Sequence, residues 1–68
     1  MPNIQLLYDS RNYTILQDNN GLKWLYSSLK PIAFYDCKIK QFRIDKGLNN
    51  REMVHFGVFK KMIKNNVI

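Results

Sequence analysis

With one cysteine and one histidine in 68 residues, the chain lacks the side chains on which most site chemistry is built. Cys37 alone cannot close an internal disulfide, and it cannot supply a cysteine-based zinc site. A reduced, intracellular and cytoplasmic setting is the simplest expectation, with an intermolecular Cys37 pair as the alternative. Acidic groups are also scarce: Asp9, Asp18, Asp36, Asp45 and Glu52 are scattered, and four of them sit at or beside expected turns. There is no phosphate-binding glycine loop, no paired metal-ligand motif and no glycine-flanked serine. No apolar run approaches the ~20 residues of a membrane span. Met1 to Tyr8 lacks the basic start and long apolar stretch of a signal peptide. Secretion and membrane insertion are therefore unsupported, and no catalytic residue, metal or cofactor is expected.

What the chain does have is positive charge. Eleven Lys and Arg face five acids, a net charge of +6. Such an excess speaks to association with an anionic partner rather than to fold or reaction. Asn, Lys and Ile make up about a third of the residues, a bias that A- and T-rich coding DNA produces. Together with the short length it suggests a low-GC bacterium, its phage or a plasmid. At this length there is room for one domain, residues 1–68, which buries only ~60% of the surface its unfolded form exposes.

The first half reads as short strands. Ile4 to Tyr8 is β-prone and ends in the turn-forming Asp9-Ser10-Arg11-Asn12, and Tyr13 to Gln17 is the next strand. Asn20-Gly21 predicts a two-residue type I′ hairpin turn, folding Leu22 to Tyr26 back as a third strand. A helix over 22–29 competes, because Leu22, Leu25, Tyr26 and Leu29 also lie at helical spacing. Ser27 to Pro31 reads as a connection. Ile32 to Ile44 is too long for one typical strand, so a bulge or break is expected near Asp36 and Cys37.

Lys46-Gly47-Leu48-Asn49-Asn50 is a second turn cluster, from which Asn49 or Asn50 caps a C-terminal helix with Glu52 in its first turn. Phe56, Phe59, Met62, Ile63 and Val67 gather on one helical side, with His55 among them; Lys60, Lys61, Lys64 and Asn50 gather on the other. Gly57 weakens this helix, the alternation Val54, Phe56, Val58 permits a short strand instead, and Asn65 to Ile68 are expected to fray. The fold class that follows is α+β: a small antiparallel meander of three to four strands with one amphipathic helix on one face. The predicted core is Ile4, Leu6, Ile15, Leu22, Trp24, Phe34, Phe42, Phe56, Phe59, Met62 and Ile63. A one-residue register error would exchange the strand members of that core for their neighbours.

As a lone histidine on an apolar helix face, His55 reads as a core residue hydrogen-bonded to backbone, and pairing with Cys37 as a catalytic dyad lacks any nucleophile context. Two basic stretches carry the functional expectation. Lys60, Lys61 and Lys64 would position phosphate on a helix face, with Gly57 admitting close approach of a backbone. Lys38, Lys40 and Arg43, with Lys46 close behind, would extend the track or simply form the wet face of an edge strand. Tyr8, Tyr13, Trp24, Tyr26 and Tyr35 fall in expected strands, where Tyr26 or Tyr35 could stack a base.

The aromatic ribonucleoprotein and cold-shock signatures, a GXXG loop, helix-turn-helix spacing and a zinc-finger pattern are all missing. The function expected is that of a small basic non-enzymatic protein, monomer or homodimer, that binds DNA or RNA. The alternative is an interaction protein, such as a phage-encoded inhibitor, that occupies an acidic or nucleic-acid-binding surface of a host protein.

Overall fold

The computed structural model describes residues 4–44 and 47–68. Asp45 and Lys46, named above among the acids and the basic stretch, lie outside them, as do residues 1–3. Five strands, β1 (Gln5–Asp9), β2 (Tyr13–Gln17), β3 (Leu22–Ser27), β4 (Lys30–Asp36) and β5 (Gln41–Ile44), form one antiparallel sheet in sequence order. The helix α1 (Asn50–Lys64) lies on one face of it. The architecture is the expected α+β meander with one strand more than the three to four anticipated. The extra strand comes from the break expected after Asp36: Cys37–Lys40 turn the chain, with Lys40 at φ 55, and β5 pairs back along β4 from Asp36↔Gln41 to Ala33↔Ile44.

Leu22 to Tyr26 is strand, not helix, because both of its edges find partners: Tyr13–Gln17 on one side and Lys30–Asp36 on the other. The turn that leads into it is not the expected type I′. Asn20 does not adopt positive φ; only Gly21 does, at 80°. The β-turn spans Asp18–Gly21, closed by the Gly21 amide donating to the Asp18 carbonyl at 3.1 Å. The Asp18 carboxylate overrides the Asn-Gly preference by accepting from the Asn20 and Leu22 amides at 2.9 and 3.0 Å. The two-residue turn of primed handedness occurs instead at Ser28–Leu29, with φ 53 and 65 between paired Ser27 and Lys30. The expected Ser27–Pro31 connection therefore shrinks to two residues. A left-handed Leu costs about 1–2 kcal/mol, and Leu29 is 95% exposed.

Helix α1 starts where the capping pattern places it. The Glu52 amide donates to the Asn49 side chain at 2.8 Å and the Asn49 amide to the Glu52 carboxylate at 3.0 Å, a reciprocal capping box. The short strand alternative at 54–58 is not adopted. At the C-terminus the expected fraying is replaced by a defined reversal. Asn66 takes φ 56, its amide donates to the Ile63 carbonyl, and the Val67 amide donates to the Met62 carbonyl. This turns Ile68 back onto the core, where its backbone oxygen accepts from Lys23 Nζ at 3.1 Å.

The core between sheet and helix is Ile15, Leu25, Ile32, Ala33, Phe56 and Phe59, flanked by Leu7, Tyr13, Tyr35, Phe42, Met62 and Ile63. Of the predicted core, Ile15 and Phe42 from the sheet and Phe56, Phe59, Met62 and Ile63 from the helix meet in this layer. Ile4 and Leu6 are 60% and 57% exposed, and Leu22, Trp24 and Phe34 lie on the opposite sheet face. The reason is register. Two irregularities, between Leu6 and Tyr8 and opposite Leu25/Tyr26, each insert a residue, Leu7 and Ile32, and both of these pack toward the helix. In β1, β3 and β4 apolar residues occupy both alternating sets, so alternation alone does not say which set is inward.

Candidate binding surfaces

The helix carries the first candidate surface. Its buried side is His55, Phe56 and Phe59, so Lys60, Lys61 and Lys64 all emerge exposed on the side away from the sheet. Lys60 Nζ sits 5.2 Å from the centroid of the Phe56 ring, which holds its stem along the helix. Gly57 is exposed on the same side, and a Cβ built there would meet nothing within 4 Å. Met53 and Val54, 53% and 65% exposed, continue this surface toward the helix start. Glu52, the only acid in the helix, is tied back to the Asn49 cap.

The second surface is the uncovered face of the sheet. The strand pairings set Leu6, Leu16, Trp24, Phe34 and Arg43 side by side in one row across all five strands. Trp24 and Phe34 are in ring contact at 4.7 Å, and Trp24 Nε1 donates to Asp18 Oδ2 at 2.9 Å. Next to this row run Asp9, Thr14, Tyr26 and Pro31 on one side and Leu22, Asp36 and Gln41 on the other. Strands with apolar residues on both faces are the one signal in the sequence for such a surface, and the same residues serve equally well as expected core.

The chain matches no family model, and no curated protein or solved structure is significantly similar to it. Its possible roles must therefore be read from these surfaces.

The structure does not bring all the sequence-predicted binding residues onto one surface. Lys60, Lys61 and Lys64 share the helix. Arg43 projects from the opposite sheet face, and Lys38 and Lys40 lie in the exposed turn between β4 and β5. Of the two tyrosines expected to stack a base, Tyr26 is on the open face; Tyr35 pairs with Phe42 at 4.6 Å on the helix side, where Phe42 packs edge-on to Phe56 and Phe59. Tyr8 and Tyr13 stack with each other at 5.5 Å, also on that side. Burial first, and then the neighbouring Tyr8 phenol, pushes the Tyr13 phenol above its ordinary pKa.

His55 is buried as expected, but its partner is a side chain rather than backbone: Nδ1 is 3.0 Å from Ser27 Oγ, itself buried. The ring also lies 5.1 Å from Tyr13. A sealed serine and histidine with satisfied hydrogen bonds is a core polar pair. Cys37 is half-buried in the β4–β5 turn. Among the described residues no cluster of three or more His, Cys, Asp or Glu could hold a metal, and no helix is long and apolar enough to cross a membrane.

Proposed function

We propose that this chain is a small non-enzymatic cytoplasmic protein that binds DNA or RNA through the outer face of α1, with Lys60, Lys61 and Lys64 contacting phosphates. The observation that carries the reading is the segregation of charge on that helix: three exposed lysines within five residues, while its single carboxylate is held at the cap. Gly57, with open space above it, lets a nucleic-acid backbone approach the helix closely. Phosphate neutralisation of this kind is insensitive to sequence and weakens with salt, each contact adding about −0.9 to the log–log slope on duplex DNA. Lys38, Lys40 and Arg43 are left out of this site because they sit on other surfaces.

The test is fluorescence anisotropy of labelled single-stranded and duplex oligonucleotides at low and moderate salt, with the native chain and with K60E/K61E/K64E. The native chain should bind with a salt slope of about −2 to −3 on duplex, and the triple reversal should remove most of that slope together with at least about tenfold of the affinity. Unchanged affinity in the triple variant would falsify this site.

One observation favours a second reading, an acidic groove on another protein. Met53 and Val54 lie exposed beside the lysines, and a phosphate backbone has no use for them, whereas a protein groove buries such side chains. Under that reading M53S/V54S weakens capture of the protein partner and leaves oligonucleotide binding unaffected.

A further inference from the structure

We infer that the open sheet face is a docking surface for a second copy of this chain, packed face to face about a two-fold axis running parallel to β3. The inference is independent of the nucleic-acid reading, because the helix faces the other way.

Two features of the face fit each other from opposite edges. At the β1 edge, Leu6 projects with 57% exposure, and Ile4, two residues earlier on the same alternation and 60% exposed, forms a ridge with it. At the β5 edge, Phe34, Asp36, Ile39, Arg43 and Ile44 line a hollow of about 300 Å³, with Ile39 55% exposed; Ile44 pairs with Ala33 and so belongs to the alternate set, at the hollow's rim. A ridge and a hollow at opposite edges cannot meet within one molecule, since four strand spacings put β1 and β5 about 19 Å apart. A two-fold axis along β3 lays β1 of each copy over β5 of the other, so both ridges enter both hollows at once, the closed self-complementary contact that limits assembly to a dimer.

The charges follow the same pattern. Asp9 stands at the β1 edge and Asp18 at the β2–β3 turn, while Lys38, Lys40 and Arg43 gather at the β4–β5 side with Asp36 as their one local counter-charge among the described residues. The axis along β3 keeps position along the strands, so Arg43 lies over Leu6 of the second copy and the Lys38–Lys40 turn lies at the strand end that carries the second copy's Asp18. An axis across the strands would instead set β5 on β5 and carry Lys38 and Lys40 to the strand end away from Asp18, so the charges select the first arrangement. The flat sheet measures roughly 24 by 17 Å, about 800 Å² for both copies before side-chain relief is counted, which belongs to the weak, concentration-dependent class of interfaces.

Sedimentation velocity of the native chain over roughly 10 to 500 µM should show reversible monomer–dimer exchange. L6R, which sets two arginines over each other, and K38E/K40E should each weaken the dimer by at least about tenfold with the circular dichroism spectrum unchanged, and the L6R/R43L exchange should restore it to within about threefold of native. Restoration cannot arise inside one copy, where those two residues lie on opposite edges. A monomer throughout the range, a dimer indifferent to L6R, or an L6R/R43L exchange that fails to restore association would each overturn the inference.

Discussion

Asp18 concentrates the most chemistry of any single residue here. Burial pushes its carboxyl up, the largest single effect, but hydrogen bonds from the Trp24 indole and from the Leu22 and Asn20 amides together outweigh it and hold the pKa below its ordinary value. A carboxylate with a lowered folded pKa contributes stability that is present above the unfolded value of about 3.9 and is lost as pH falls through the folded pKa. Stability of the native chain should therefore decline on acidification below about pH 4. D18N, which cannot titrate, should be less stable at neutral pH and show a flatter profile in that range, measured by urea unfolding across pH. A native-like slope in D18N would place the acid sensitivity elsewhere. In the sequence this residue is visible only as a turn former. Its hold on Trp24 depends on β3 folding back beneath it, which local chemistry does not reveal.

Among the elements, α1 was the most legible. Asn49, Glu52 and the apolar face from Phe56 to Ile63 act within one or two turns of each other, so cap, start and buried side all follow from spacing. The end was misread because the reversal at Asn66 depends on Ile68 finding a place on the core. Gly57 gives the helix a test of its own. It lies mid-helix, exposed, at ordinary negative φ and with open space around it, so nothing in the fold requires glycine there. G57A should stabilise the protein by about 1 kcal/mol in urea titrations. If close approach of a phosphate backbone is what Gly57 serves, oligonucleotide affinity falls in the same variant even as stability rises. A variant that is both more stable and equally able to bind would leave Gly57 with no part in the interface.

Taken whole, the molecule has two different outsides. The sheet is covered on one face only, so its helix side ends in lysines while its far side ends in the row from Leu6 to Arg43. Because the two surfaces point in opposite directions, they should behave independently. K60E/K61E/K64E is expected to leave the monomer–dimer constant within about twofold of native at moderate salt, where long-range charge effects are screened. L6S is expected to weaken the dimer and leave the salt slope of oligonucleotide binding unchanged. Loss of both properties in either variant, read by sedimentation and anisotropy on the same samples, would mean that the surfaces are coupled through the fold.

By itself the sequence determined the alternation of strand and turn, the capped amphipathic helix, the side of the helix that is buried and the lysines on the other. Each of these depends on residues within a few positions of one another. Only the tertiary structure decided which face of each strand meets the helix, since Leu7 and Ile32 shift the register of chains that are apolar on both faces. It also decided that Trp24 and Phe34 belong to an open surface and that Arg43 joins them rather than the helix lysines. Those outcomes rest on pairings across the sheet, where a one-residue change moves every side chain to the other side.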